Sequence, residues 1–147
     1  MGQLKKAVSI LRENKVSCIM LNEKDEIITS DSVGVKPLME CLRINRQAFS
    51  NSVIADKVIG KAAALLIVLG GATGAHGEVM SEEGRAVLEK HHIVYTYKEL
   101  VPYIENRTRT GRCPMEQAVS NIEDPELAYK ELEKTIQSLM KQQTAKQ

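Results

Sequence analysis

The sequence predicts a single α/β domain, and three observations carry that prediction. Short runs rich in branched residues alternate with stretches of helical periodicity. The most apolar stretch, residues 62–69, is apolar all round and reads as a helix buried on every side. A chain of 147 residues holds one full core and is too short for two comfortable ones, so residues 1–141 are assigned to one domain.

Leu4, Ala7, Val8, Ile10 and Leu11 recur at helical spacing, which makes residues 3–13 an amphipathic helix ended by Asn14. Residues 16–21 and Glu26-Ile27-Ile28-Thr29 flank a polar turn and read as a hairpin, with Cys18 as a small core residue. After the turn-rich Ser30-Asp31-Ser32-Val33-Gly34, Pro37 sits near the start of a short helix carrying Leu38, Met39, Cys41 and Leu42. Residues 53–55 form a short buried strand. From Asp56 the chain is too long and too rich in alanine and leucine for anything but a helix, closed by Gly70-Gly71.

Three glycines flank or interrupt the next segment, yet a strand is expected over residues 75–79. Ser81 then caps a helix to Lys90, with Glu82 and Glu83 in its first turn where the helix dipole favours them. His91 and His92 are adjacent, not spaced for one face, and fit a helix end better than a metal site. His76 lies in the glycine-rich stretch, where it could face a pocket. Residues 93–97 are a strong strand, and Leu100-Val101-Pro102-Tyr103-Ile104 is a helical turn or an edge. A last helix starts at Asp124-Pro125, with Leu127, Leu132, Ile136 and Leu139 on one face, and residues 142–147 are expected to be a disordered tail.

Composition narrows the function. A net charge of +1 with only 3% aromatic residues removes both the electrostatic footprint and the stacking platforms of nucleic-acid binding. The eight apolar residues 62–69 fall far short of the roughly 20 that span a bilayer. No signal peptide is read at the start, so a cytoplasmic protein is expected. Cys18, Cys41 and Cys113 are an odd, widely spaced set, which argues for thiols over a disulfide framework or a zinc knuckle. No cofactor and no metal are expected.

Two constellations bear chemistry. In the first, Lys57 and Lys61 lie four apart at the start of the predicted central helix, where the dipole disfavours cations, so an anion should be near. Either Asp56 caps the helix and pairs with Lys61, or a ligand pocket opens at the strand-to-helix junction. Gly60, costly in mid-helix, implies a close approach to the backbone there. In the second, Pro114 as the first helical residue makes Cys113 the N-cap and Glu116 the third position, after a loop holding Asn106, Arg107 and Arg112. A thiol at a helix start beside Arg112 is a candidate nucleophile. Three readings stay open: capping beside a solvated loop, binding of phosphate or carboxylate by the arginines, and covalent or redox chemistry at Cys113.

Gly34-Val35-Lys36-Pro37-Leu38, Ala55-Asp56-Lys57-Val58-Ile59-Gly60-Lys61-Ala62-Ala63-Ala64-Leu65, Glu99-Leu100-Val101-Pro102-Tyr103-Ile104 and Asn106-Arg107 through Cys113-Pro114-Met115-Glu116 together resemble a prokaryotic family, domain of unknown function 1893. The likeness covers most of residues 15–135. It implies the cytidine-deaminase-like fold, a three-layer α/β/α sandwich with a central mixed sheet. Zinc deaminases need a His or Cys two residues before a catalytic Glu at one helix start, and Pro-Cys-x-x-Cys at another. Here the first start reads Asp56-Lys57-Val58 and the second Cys113-Pro114-Met115-Glu116, so zinc chemistry is not expected. The fold implies that the two starts face each other, bringing Asp56, Lys57 and Lys61 near Cys113, Glu116 and the arginines. Asp56-Lys57-Val58-Ile59-Gly60 is also similar to a string in the formate dehydrogenase accessory sulfurtransferases.

Three functions compete: binding of a small anionic ligand through Lys57, Lys61, Asn106, Arg107 and Arg112; catalysis or sulfur transfer at Cys113 with Asp56 or Glu116 moving protons; and homo-oligomerisation through an amphipathic helix. The first is ranked ahead, the ligand being a nucleotide or a phosphorylated metabolite.

Overall fold

Eleven elements succeed one another in this computed structural model, which describes residues 2–32, 34–105 and 113–145, the side chains of 142–145 excepted. They are α1 (Gly2–Glu13), β1 (Cys18–Asn22), β2 (Ile27–Ser30), α2 (Lys36–Ile44), β3 (Ser52–Ile59), α3 (Lys61–Leu69), β4 (Gly74–Ser81), α4 (Glu82–Lys90), β5 (Val94–Val101), α5 (Pro114–Ala118) and α6 (Pro125–Ala145). The strands make one mixed sheet in the order β2-β1-β3-β4-β5. β1 is antiparallel to both neighbours, whereas β3, β4 and β5 run parallel and need the crossover helices α3 and α4 between them.

The hairpin forms as predicted. Asn22 closes it: its side-chain oxygen accepts from the amides of Lys24 and Glu26, both at 2.9 Å, and Asp25 takes the positive φ of 60° that such a turn requires. Alternation along the strands then divides the apolar residues between two faces. Ile19, Leu21, Val53 and Ala55 pack on Leu4, Ala7 and Leu11 of α1. Cys18, Met20, Ile54 and Ala75 face the larger core built with α2, α3, α4 and α6. Within it α3 is buried from Lys61 through Ile67, as its all-round apolar sequence predicted. Among the described residues no helix is long and apolar enough to cross a membrane.

The start of α3 differs from the prediction. Residues 56–59 continue β3, because that strand is paired on both edges: Asp56 is in register with Cys18 on one side and Gly77 on the other, and Val58 with Val79. Ladder pairing of a segment rich in valine and isoleucine outweighs the helix propensity of the alanine-rich run after Lys61. Asp56 is therefore no helix cap, Lys57 and Lys61 share no helical face, and Gly60 is the N-cap of α3 instead of an interior residue. Other starts are as read: the Ser81 hydroxyl accepts from Gly84 N at 3.0 Å and caps α4, and Asp124 Oδ2 accepts from Leu127 N at 2.9 Å and caps α6.

On α6 the core face is Ala128, Tyr129 and Leu132 with Ile136 beside them, while Leu127, expected inside, is 47% exposed. The Arg46 guanidinium stacks over the Tyr129 ring at 3.8 Å and reaches Glu126 at 3.5 Å, fixing α6 to the segment after α2. The helix runs on to Ala145 where a disordered tail was predicted from residue 142; Gln142, Gln143 and Ala145 are good helix formers that prolong an already nucleated helix. Residues 146 and 147 lie outside the described residues.

The starts of α3 and α4 pack backbone to backbone. A Cβ on Gly84 would lie 2.9 Å from both the carbonyl carbon and the oxygen of Gly60. Gly84→Ala is expected to destabilise the domain by about 1–3 kcal/mol through overpacking against backbone that has nowhere to move. Urea denaturation measures it, and an unchanged midpoint would refute this account of the α3–α4 contact.

Candidate functional site

A helix start leaves backbone amides without intrahelical partners, and at α3 they are buried in protein. Gly60 has no side chain to cap them. The cap comes from a distant segment: Glu116 Oε1 accepts from Lys61 N at 2.7 Å and its Oε2 from Ala62 N at 2.8 Å. Both carboxylate oxygens are thus used, by short charge-assisted bonds. Glycine at position 60 makes this possible, since a Cβ there would collide with the Glu116 carboxylate and with Ile104 Cγ1. The close approach that Gly60 implied in the sequence is this carboxylate. Burial pushes the Glu116 carboxyl above its ordinary range, the two amide bonds pull it back, and the charge of Glu83 adds to the rise.

Lys61 completes the group. It is only 5% exposed, and its ammonium donates to the Ser120 carbonyl at 3.1 Å and to Glu123 at 3.4 Å. It lines a groove of about 400 Å³ between α3, α4 and the segment before α6, with Glu83, Val87, Lys90 and Glu123. The structure therefore joins Lys61 and Glu116 of the predicted site. Ser120 and Glu123 were not foreseen, because a buried lysine signals that it needs partners but not which residues, about sixty positions away, supply them.

Asp56 goes elsewhere. It is 5% exposed on β3; its Oδ1 accepts from Val58 N at 3.2 Å, and its carboxyl also shares a hydrogen bond with the Cys18 thiol across the β1–β3 ladder. Burial pushes this carboxyl up to about 7 against the bonds from Val58, Cys18 and Lys57 N, and the same burial with the Asp56 charge pushes the Cys18 thiol up. Lys57 is exposed, its backbone amide bonded to Ser17 O at 3.0 Å. Neither residue joins the Glu116 group through the contacts described, because the strand carries them before the helix begins.

Cys113 is the N-cap of α5 as predicted, but its side chain makes no capping bond. Its amide donates to the Ile104 carbonyl at 3.0 Å and its carbonyl accepts from Gln117 N at 3.0 Å. Ile104 is thus shared: one end meets Cys113 and its side chain crowds Gly60. With five residues, α5 is less than two turns long. Asn106, Arg107 and Arg112 lie outside the described residues.

The fold has relatives. Residues 6–136 match the family described as domain of unknown function DUF1893. The chain belongs to that family. It is also similar to a DUF1893 family protein from Thermotoga maritima known from a crystal structure, at 24% identity over 88% of this chain and 86% of that one, with a TM-score of 0.79. At that identity the likeness establishes a shared fold. No curated protein matches the chain.

The buried Asp56 carboxyl has a direct consequence for stability. Its folded pKa of about 7 exceeds the ordinary ~3.9, so between roughly pH 4 and 7 the folded state holds a proton that the unfolded state has lost. Stability contributed by this group is full below pH 4, falls as pH rises through that window and levels off above it. Asp56→Asn, which keeps an acceptor for Val58 N, is expected to flatten the urea midpoint between pH 4 and 7 relative to wild type. Parallel profiles for the two proteins would show that Asp56 ionises normally.

Proposed function

We propose that this DUF1893 chain is a cytidine-deaminase-like domain, a three-layer α/β/α sandwich that has no zinc chemistry and binds a small anionic ligand at the start of α3. Helices on both faces of a mixed sheet support the fold reading. Against a zinc site stand Gly60-Lys61-Ala62 at the start of α3 and Ser81-Glu82-Glu83 at the start of α4, which lack the His/Cys ligands such a site uses. Among the described residues no three His, Cys, Asp or Glu side chains are grouped as metal ligands.

The observation that carries the ligand reading is the bidentate seat of Glu116 on Lys61 N and Ala62 N. Two amides at a buried helix start, with an ammonium almost wholly buried beside them, form an anion cradle, and the protein's own carboxylate holds the place of the guest. Phosphate and carboxylate groups present the same pair of oxygens. Burial and Glu83 disfavour the Glu116 charge, and an anion that displaces it meets the same costs and must offset them through the two amides and Lys61. A nucleotide or phosphorylated metabolite supplies such a group, its remainder lying in the groove of about 400 Å³ along α4.

Glu116→Gln is expected to lower stability by about 1–2 kcal/mol, the scale of a lost charged cap. Inorganic phosphate and a nucleoside monophosphate should then raise the melting temperature of the variant more than that of wild type. At about 100 times Kd a ligand adds roughly 2.7 kcal/mol, which a thermal scan resolves easily. If neither protein responds to either anion, Glu116 is a structural cap only and the ligand reading fails.

A further inference from the structure

On the opposite face of the sheet, α1 covers β1 and β3 and leaves a groove of about 400 Å³ against β4 and β5, lined by Lys5, Ser9, Arg12, His76 and Thr96 among others. Its floor is a continuous polar chain. His76 and Thr96 are register partners across the β4–β5 ladder and so share a face, and Glu78, two residues along β4, lies on that same face. His76 Nδ1 is 2.6 Å from Thr96 Oγ1, and its Nε2 is 2.6 Å from Glu78 Oε1. Arg12, in the last turn of α1, donates to Glu78 Oε1 through Nε at 3.1 Å and Nη2 at 2.9 Å.

The chemistry of these groups fixes the direction of each bond. Burial alone would raise the Glu78 carboxyl, but the Arg12 and His76 bonds outweigh it and hold the group below its ordinary value, so it is ionised and can only accept. In its neutral form the imidazole therefore carries its proton on Nε2, and Nδ1 presents a lone pair. Thr96 Oγ1 donates its proton to that lone pair and keeps its own lone pairs for the groove, where the residue is half-buried. His76 itself is 3% exposed and locked at both nitrogens. Lys5, Ser9 and Arg12 stand at i, i+4 and i+7, on one side of α1, and bring two cations and a hydroxyl to the groove.

We propose that this groove is an acyl-transfer site in which Thr96 is the nucleophile, His76 its general base and Glu78 the positioning residue, acting on a small anionic carboxylic ester. The roles are those of a nucleophile–base–carboxylate triad, recognised by geometry. Thr96 Oγ1 bonds to the acyl carbon while its proton passes to His76 Nδ1. The charge that develops on the carbonyl oxygen is met by Arg12 and Lys5. Collapse breaks the bond to the alcohol, which leaves with the proton from His76. Water then adds to the acyl-threonine by the same path, releasing the acid and restoring Thr96, so the sum is ester and water to acid and alcohol. The site lies across the sheet from the α3 cradle, and its test is independent of ligand binding there.

Mono-4-nitrophenyl succinate is the probe, with release of nitrophenolate tracked by absorbance and the acid-quenched protein mapped by mass spectrometry. Wild type is expected to carry a succinyl group on Thr96 and to release nitrophenolate about 100-fold faster than Thr96→Val or His76→Asn, the lower range for general-base catalysis. Thr96→Ser keeps the hydroxyl and should retain turnover, which separates lost chemistry from lost folding. Glu78→Gln should shift the pH profile of release while leaving the adduct on Thr96. Release by wild type no faster than by Thr96→Val, or acylation at another residue alone, would overturn the proposal and leave the chain a structural network.

Discussion

The start of α3 depends on one carboxylate. Glu116 reaches from α5 to the first amides of α3, a helix buried from Lys61 through Ile67, and this bond pair ties α5 to the start of that helix. A helix that begins at the surface has its free amides hydrated. One that begins inside has no such recourse, and each orphaned donor there costs about 1–3 kcal/mol. Because Gly60 can offer no side chain, the cap had to come from outside the local sequence, and the absence of a Cβ is what admits it. Lys61, the first residue of α3, then fixes the segment before α6 through Ser120 and Glu123. Three consecutive residues thus organise contacts to a segment remote in sequence.

Buried charge is concentrated around β3 and the start of α3. Asp56 and Glu116 are both carboxyls whose protonated forms are favoured by burial, yet they are satisfied differently. Asp56 is held by its own strand and a thiol. Glu116 is held by a helix start, which favours the charged form and explains why it serves as a cap while Asp56 does not. A hydrophobic replacement at either place would leave amides unpaired, so the polar groups persist despite their desolvation.

Much of the fold was legible because the signals were local. The hairpin announced itself through Asn22 to Glu26, the α4 cap through Ser81 with two glutamates after it, and α3 through an apolar run that only a wholly enclosed helix tolerates. What failed depended on partners remote in sequence. Residues 56–59 resemble the first turn of a helix until β4 pairs with them along one side and β1 with Asp56 on the other. Glu116 occupies a position three residues after an N-cap, where a glutamate ordinarily turns back to its own helix, and nothing local says that it caps another. Of the candidate site, the need for an anion near Lys61 was readable from the residues and the approach of Glu116 only from the resemblance, while Ser120 and Glu123 were not readable. The expectation at Gly60 succeeded because a glycine's cost in a helix region demands a steric cause, whichever residue provides it.

The two faces of the sheet explain the polar chain on β4 and β5. Parallel strands are ordinarily covered on both sides and read as continuous apolar runs. β4 reads Gly74-Ala75-His76-Gly77-Glu78-Val79-Met80, with Ala75 fully buried toward the large core and His76 and Glu78 on the other side. This alternation is what a strand shows when one face is packed and the other is not, and α1 packs mainly over β1 and β3, leaving that face of β4 and β5, among the described residues, without a helix of its own. A solvent-facing surface would be satisfied by any polar residues. Here the imidazole is 3% exposed, each nitrogen has a partner at 2.6 Å, and the carboxylate that orients it is itself fixed by Arg12 from the covering helix. Ordering these side chains costs conformational entropy that a merely wet surface avoids. The weak, glycine-interrupted signal of β4 in the sequence is therefore the mark of a strand whose second face is shaped around a groove.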